Sequence, residues 1–288
     1  MLIFFGILLF CFAAALTLLS AGQSGSRVAE GPQIGVVEVK GVITASRRTL
    51  EALRAFAKDD DIKAVVMRLN TPGGSVGPSQ EVYREIERLR AKKPVVASMG
   101  SVAASGGYYI AAACTQIVAN AGSLTGSIGV ISQTTEVYEL LALARIKAHV
   151  FKSGALKDTG SPLRPMTEVD RIALQKMVDE IHGQFVSDIS KGRKMSLAKV
   201  KAVADGRILT GAQAKVHGLV DSLGNFSDAL DVAVKLAKAE GDPVPVYHRA
   251  RKGLLRQLLE DSADVAMQKV RQELETSLRI EARDTRLR

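Results

Sequence analysis

Short runs of branched aliphatic residues alternate with segments of helical periodicity through the middle of the chain. The runs predict strands at residues 34–39, 64–69, 95–99, 116–119, 128–131, 148–151 and 244–247. The periodic segments predict helices at residues 49–57, 79–91, 108–114, 135–144, 167–189, 197–204, 211–216 and 227–239. Ser79 is the expected N-cap of the second helix. Strands that alternate with helices in this way predict a layered α/β domain.

The amino terminus carries an uncharged apolar run at residues 2–19. A run of this length spans a bilayer as a helix. A removable signal peptide is the alternative, because small residues such as Ala14 and Ala21 lie near a possible cleavage site. The basic segment that usually precedes a signal peptide's apolar core is missing, so we favour a retained anchor. The first basic residue is Arg27, so charge indicates the orientation only weakly.

The carboxyl terminus predicts an amphipathic helix at residues 254–278, with leucine and valine at helical spacing. Its apolar face needs a partner, and this domain or another subunit is favoured over a membrane. The expected organisation is an anchor at 1–21, a polar linker at 22–32, a globular domain at 33–248 and this tail at 249–288.

Composition excludes several classes of function. The net charge of +9 arises from basic residues interleaved with acidic ones, as in residues 84–88, which is typical of solvated helix faces rather than of a nucleic-acid site. Weak attraction to anionic lipid is the expected consequence. Cys11 and Cys114 are not expected to pair, and no cysteine or histidine spacing indicates a metal site.

One serine lies among small residues where a predicted strand meets a predicted helix. The segment GSVAASGGYY at residues 100–109 places Ser105 between Ala104 and Gly106. Small neighbours let a substrate backbone approach closely, although an N-cap serine has the same local pattern. A nucleophilic serine also needs a base. The four histidines are scattered, and Lys157 in the segment SGALKD is the candidate.

Four motifs in this order resemble the signal peptide peptidase A family in its single-domain form: NTPGGS at 70–75, AASGGYY at 103–109, GSLTGSIG at 122–129 and SGALKD at 153–158. The resemblance covers about residues 35–233. It implies a fold related to Clp protease and crotonase, built of repeated ββα units. It also implies a membrane-bound serine protease with a Ser/Lys dyad.

The resemblance implies roles for individual residues. Ser105 is the nucleophile, Lys157 the general base and Ser127 the residue that orients the lysine. The N–H groups of Gly74 and Gly106 form the oxyanion hole. The substrate groove includes Gly73, Ser75, Ala104 and Gly107.

Lys157 can act as a base only if its amine is unprotonated. An ordinary lysine is protonated at neutral pH, so a lysine base requires desolvation. Gly154, Ala155 and Leu156 are small or apolar and permit burial. Asp158 would oppose deprotonation if it paired with Lys157, so we expect its carboxylate to point elsewhere.

The implied protein is an endopeptidase of the cell membrane with one span and an extracytoplasmic catalytic domain. Its implied substrates are cleaved signal peptides and misfolded secreted segments, bound as extended strands with small or apolar residues near the cut. It would form a homo-oligomeric ring or dome in which one subunit completes a neighbour's groove. No cofactor, metal or nucleic acid is expected.

Other interpretations remain open at this point. The segment GGSVG fits the G-x-S-x-G pattern of an α/β-hydrolase-type esterase with Ser75 as nucleophile. Asp205 or Asp221 with His217 or His248 would complete a catalytic triad, but their spacing along the sequence is unconvincing for one. An inactive membrane scaffold is a second alternative. A crotonase-type enzyme would need an acidic residue and a coenzyme A site, which the sequence does not locate. A stomatin-linked membrane protease normally has further spans, and none follows residue 19.

Overall fold

A sheet of eight strands organises residues 31–248, the part of the chain that the computed structural model describes. The strands are β1 (Gln33–Lys40), β2 (Ile62–Thr71), β3 (Val95–Ala104), β4 (Gln116–Ala119), β5 (Leu124–Gly126), β6 (Ile208–Thr210), β7 (Ser222–Leu223) and β8 (Val244–Tyr247). All pairings are parallel except that of β5 with β6. The predicted anchor and the predicted tail helix lie outside the described residues.

Helices cover both faces of the sheet. They are α1 (Arg47–Lys58), α2 (Val76–Arg90), α3 (Gly106–Ala112), α4 (Tyr138–Leu143), α5 (Glu168–Arg193), α6 (Leu197–Lys201), α7 (Gly211–Val216) and α8 (Phe226–Leu236). Successive side chains of a strand point to opposite faces, so Ala64 and Val66 of β2 pack with α8, whereas Val65 and Met67 join the larger core with α1, α2 and α3. Strands buried on both faces explain the continuous aliphatic runs.

On the edge opposite β2, β3 pairs with two different strands along its length. Its first half, from Val96 to Met99, lies beside β4, and its last three residues lie beside β5. β4 then pairs with β7, and β5 with β6. Because β3 changes partner from β4 to β5, its end is separated from β4. The next residue, Ser105, therefore lies beside the end of β5.

The layered α/β prediction is confirmed, with corrections at particular elements. The predicted strand at 128–131 is wrong: the strand is β5, which ends where Gly126 and Ser127 take positive φ angles of 74° and 49°. The predicted strand at 148–151 is also wrong, because those residues are exposed and have no strand partner among the described residues. β6 and β7 were not predicted, since strands of three and two residues show no periodicity.

α2 begins earlier than predicted. Ser75 is its N-cap, and Ser79 is buried inside the helix, where its hydroxyl donates to the Ser75 carbonyl at 2.9 Å. Pro78 lies in the first turn of α2, where proline is tolerated because the N–H groups of that turn have no intrahelical partner. No helix within residues 31–248 has both the length and the apolar content needed to cross a bilayer.

Replacing a fully buried residue of α2 tests this packing. We expect Ile86→Ala to lower the free energy of unfolding by about 2–5 kcal/mol, because the substitution leaves a cavity in the larger core. Val216→Ala on α7, where the side chain is 85% exposed, should change it by less than about 0.5 kcal/mol. Urea denaturation of both variants measures the difference, and equal effects would contradict this core assignment.

Candidate active site

Ser105 occupies a strained junction between β3 and α3. Its backbone has φ 52° and ψ −118°, while Gly106 begins the helix immediately after it. Positive φ is uncommon for a residue with a side chain, and such strain persists only where surrounding structure enforces it. Here the Ser105 N–H donates to the Gly126 carbonyl at 2.9 Å. The pairing of β3 with β5 therefore holds Ser105 in a strained conformation at a strand-to-helix turn, the setting in which α/β-hydrolases place their nucleophilic serine.

Ser127 occupies the equivalent position at the end of β5. Ala104 and Gly126 are partners in the parallel register, so Ser105 and Ser127 each follow one member of that pair. Ser127 also has a positive φ, and its N–H donates to the Arg207 carbonyl at 2.8 Å. Both serines line one cavity. The structure therefore brings together the predicted nucleophile and the residue predicted to orient the base.

The cavity beside Ser105 has a volume of about 480 Å³. Its walls come from five regions, namely the loop before α2 with the first turn of that helix, the start of α3, the residues after β5, the inner face of α5 and the loop before β6. Apolar and aromatic side chains dominate the walls: Pro72, Val76, Tyr109, Val130, Ile131, Ile181 and Phe185. The polar side chains are Ser79, Ser105, Ser127 and Asp205. A cavity with this lining suits an apolar group held beside a hydroxyl.

The backbone N–H groups of Gly74 and Gly106 form a candidate oxyanion site next to Ser105. A Cβ on Gly73 would lie 2.9 Å from the Ser105 Cβ and 2.7 Å from the Gly106 nitrogen, so only glycine allows this approach. A Cβ on Gly106 would lie 3.4 Å from the Gly74 nitrogen. Within residues 31–248, neither Gly74 nor Gly106 donates its N–H to a protein acceptor. Two unused donors therefore lie close together beside the serine.

Ile43 holds the glycine loop in place, which sequence reasoning did not anticipate. The Ile43 N–H donates to the Gly73 carbonyl at 2.8 Å, and the Ser75 N–H donates to the Ile43 carbonyl at 2.7 Å. These two bonds clamp the loop on either side of Gly74. The Gly74 N–H is left free because the neighbouring residues make the pairings.

Tyr109 forms a wall of the cavity and is fixed by a buried carboxylate. Its hydroxyl donates to Asp188 of α5, whose two carboxylate oxygens also accept from the Arg84 Nη2 at 3.1 Å. The Phe185 ring lies 4.6 Å from the Tyr109 ring. Burial raises the pKa of Tyr109 above its ordinary value, so the phenol stays protonated as the donor. Sequence reasoning missed Asp188, whose only signal is a charge within the apolar segment FVSDI.

The other predicted groove residues lie around the cavity rather than in its wall. Ala104 is buried directly before Ser105, and Gly107 packs against the Thr71 side chain. Ser75 is exposed at the N-cap of α2 with an ordinary φ of −62°. Within the described part of the chain, none of these three lines the cavity. Gly73 contributes by its close approach to Ser105.

The hydrolase interpretation finds no assembled triad around Ser75. Asp205 pairs with Arg207, which lowers the pKa of Asp205 to about 2. Asp221 accepts from Arg193 and from the Ile117 N–H. Across residues 31–248, neither carboxylate is hydrogen-bonded to a histidine.

Lys157 lies away from this cavity. Its side chain is exposed, and it is not among the residues that line the cavity in the described region. Its N–H donates to the Gly154 carbonyl at 3.1 Å within a compact turn. A single chain, as described, does not place the predicted base beside Ser105.

Asp158 is engaged by cations other than Lys157, as expected. Lys152 donates to its carboxylate at 2.5 Å and Arg164 at 2.9 Å, and these bonds, first that of Arg164, hold the pKa of Asp158 well below its usual range. Arg164 also donates to Asp170 at the start of α5. That bond and the hydrogen bonds from Thr167 hold the pKa of Asp170 well below its usual range.

Comparison with known proteins identifies the family. The model of peptidase family S49 matches residues 87–240, and that of the Clp protease family matches residues 38–123. A Synechocystis protein named as a protease is 42% identical over 214 residues, which are 74% of this chain and 77% of that protein. This chain belongs to peptidase family S49. The Clp protease match agrees with the mixed α/β fold and its parallel sheet.

Two further S49 relatives have more specific names. An Enterococcus faecium protein named as a signal peptide peptidase SppA is 37% identical over 71% of this chain and 60% of its own length. The chloroplastic serine protease SPPA of Arabidopsis thaliana is 33% identical over 77% of this chain and 32% of its own length. These matches confirm the resemblance to the signal peptide peptidase A family.

Acid titration tests the carboxylate at the start of α5. The pKa of Asp170 is lower in the folded chain than the ordinary value of about 3.9. Its stabilising contribution is therefore complete above about pH 4 and is lost as the pH falls below that value. We expect Asp170→Asn to lower stability at neutral pH and to flatten the decline between about pH 4 and 2. Urea midpoints across this range measure both effects.

Asp231→Asn is the matched control, because Asp231 is exposed on α8. It should leave the acid dependence unchanged. A decline as steep in Asp170→Asn as in the wild type would contradict the assignment.

Proposed function

We propose that this S49 member is a membrane-anchored serine endopeptidase with Ser105 as nucleophile and Lys157 as general base. The observation that carries the proposal is the strained turn that holds Ser105 at an apolar cavity beside two unused backbone donors. A hydroxyl beside unsatisfied amides is the arrangement that acyl transfer requires.

The proposed reaction proceeds through an acyl-enzyme. The Ser105 oxygen attacks the peptide carbonyl carbon while Lys157 accepts the hydroxyl proton. The carbonyl oxygen takes the negative charge, and the N–H groups of Gly74 and Gly106 stabilise it. Lys157 returns the proton to the leaving amine as the C–N bond breaks. Water then attacks the ester with Lys157 again as base, which releases the acid and restores Ser105.

The two backbone donors would provide much of the transition-state stabilisation. Loss of one oxyanion donor typically costs about 2.7–4 kcal/mol. Both donors are backbone groups set by the fold, one inside the clamped glycine loop and one at the start of α3. They need no reorganisation when charge develops.

Ser127 is the proposed partner of the lysine amine. A lysine base uses its nitrogen lone pair to accept the Ser105 proton, and its remaining N–H groups are donors. An adjacent hydroxyl oxygen that accepts from one of these N–H groups can hold the amine in a fixed direction. Ser127 lies beside Ser105 on the same cavity wall. A lysine that reached Ser127 would therefore also reach the Ser105 hydroxyl.

We further propose that Lys157 reaches this cavity from a neighbouring copy of the chain. The turn that carries Lys157 is exposed, and the segment before it leaves Leu143 and Phe151 exposed by 82% and 96%. Ile131, on the cavity rim, is 90% exposed. Residues 131–156 expose several further large apolar side chains, and such a concentration of exposed apolar residues along one segment is what a subunit interface would cover. Cover by a neighbour would also supply the desolvation that a lysine base needs. A ring or dome of subunits is the assembly that the family resemblance implies.

The proposed substrates are cleaved signal peptides and misfolded secreted segments. An apolar cavity next to the nucleophile favours substrates with apolar side chains near the cut. Relatives named as signal peptide peptidases support this class. Residues 2–19 are the proposed anchor, with the catalytic domain on the extracytoplasmic side, where such peptides are released.

Substitution of the proposed dyad tests the chemistry. With a fluorogenic signal-peptide substrate, we expect Ser105→Ala to reduce cleavage to background. Lys157→Ala should reduce the rate by about 10²–10⁴-fold, the usual contribution of a general base. Ser75→Ala is the matched control, since Ser75 lies outside the cavity wall. If Ser75→Ala alone abolishes cleavage, the esterase interpretation replaces this one. If no variant differs from the wild type, the dyad is wrong.

Mixed assemblies test the contribution of a neighbouring chain. Co-expressed Ser105→Ala and Lys157→Ala subunits, purified together through two different tags, should recover activity because some cavities receive an intact Ser105 and an intact neighbouring Lys157. Ser105→Ala mixed with Ser127→Ala should not recover, because both serines line the same cavity of one chain. If oligomers that contain both Ser105→Ala and Lys157→Ala subunits form but stay inactive, Lys157 acts within its own chain.

A further inference from the structure

A chain of ion pairs closes the turn that carries Lys157 and leaves Lys157 outside it. The Lys152 amine donates to the Ala155 carbonyl at 3.0 Å and to Asp158 Oδ1 at 2.5 Å. Arg164 donates its Nε to Asp158 Oδ2 at 2.9 Å and its Nη2 to Oδ1 at 3.0 Å. Both carboxylate oxygens of Asp158 are therefore occupied.

Arg164 also fastens this turn to α5. Its Nη1 and Nη2 donate to the two oxygens of Asp170 at 2.5 and 3.0 Å. The Asp170 side chain is only 2% exposed and also accepts from Thr159 and Thr167. Asp170 closes the capping box that begins α5. The turn is thus joined to the helix whose Ile181 and Phe185 line the Ser105 cavity of the same chain.

A free Asp158 carboxylate would hinder Lys157 from acting as a base. Asp158 is the next residue after Lys157, and a carboxylate that pairs with an amine favours the protonated form. Only an unprotonated amine can accept the serine proton. Lys152 and Arg164 together balance the charges of Asp158 and Asp170, so the network has no negative charge left to attract Lys157.

We infer that Arg164 is a positioning residue for the base: by holding Asp158 it keeps the Lys157 amine without a carboxylate partner, and it fixes the Lys157 turn on α5. This inference rests on the proposed function, because it assigns Arg164 a role only if Lys157 is the base. Arg164 touches neither the substrate nor the reacting atoms.

The inference predicts a rescue that a purely structural role would not produce. In the full-length protein, Arg164→Leu should lower kcat/KM at neutral pH by about tenfold and move the acidic limb of the pH–rate profile up by about one pH unit. Adding Asp158→Asn to Arg164→Leu should recover most of the loss in kcat/KM and return the acidic limb to its wild-type pH. The reason is that a neutral amide does not stabilise the protonated amine of Lys157. If Arg164 were only structural, the second substitution would remove another bond to Lys152 and lower activity further.

Two variants keep the test decisive if Arg164→Leu fails to fold. Asp158→Asn alone should retain activity within about threefold, an effect no larger than the loss of one surface ion pair. It should also keep the wild-type pH profile. Arg164→Lys retains the charge without the fork that bridges two carboxylates, and its activity should be intermediate. Arg171→Leu is the control, since Arg171 is 67% exposed on α5 and pairs with Glu168 at 3.6 Å. It should leave rate and pH profile unchanged. Thermal unfolding and light scattering verify the folding and assembly of each variant.

The outcomes separate this inference from the proposed function. If Lys157→Ala retains activity, Lys157 is not the base and the proposed function fails together with this inference. If Lys157→Ala is inactive but Arg164→Leu has the wild-type rate and pH profile, only the role of Arg164 is overturned. The role is also overturned if Asp158→Asn fails to return the profile, or if Asp158→Asn alone is as inactive as Lys157→Ala.

Discussion

The hydrogen bond from Ser105 to the Gly126 carbonyl is the interaction on which the site depends. It exists because β3 changes partner along its length, first beside β4 and then beside β5. That change brings the ends of two parallel strands together, and a serine with positive φ follows each of them. The paired strands hold the unfavourable conformation of Ser105, which points its side chain toward the cavity and starts α3 with a free N–H.

The surrounding structure limits movement at this junction from two sides. Ile43 clamps the glycine loop on one side, while Tyr109, held by Asp188 and stacked near Phe185, supports the other. Sites that depend on oriented backbone donors need this kind of rigidity. The residues responsible are distant in sequence, which is why substitutions outside the cavity wall are expected to influence the chemistry.

α5 connects the cavity of the proposed nucleophile to the turn that carries the proposed base. Its inner face contributes Ile181 and Phe185 to the cavity, and its first turn carries Asp170, to which Arg164 ties the Lys157 turn. A rigid helix of 26 residues thus sets the distance between a chain's own cavity and its own Lys157. In the proposed assembly, that spacing would let one subunit extend its base toward the cavity of the next.

The sequence by itself determined the features that arise from local pattern. Aliphatic runs predicted the long buried strands, and small residues around Ser105 and Gly73 predicted close backbone approach, because those preferences belong to the residues themselves. Only the tertiary structure decided where β5 ends, since a positive φ at Ser127 depends on its bond to Arg207. It also decided the short strands, the Tyr109–Asp188 pair and the position of Lys157 outside its own cavity. These features depend on pairings between distant segments, and a local pattern of apolar and polar residues does not specify which distant segment will be the partner.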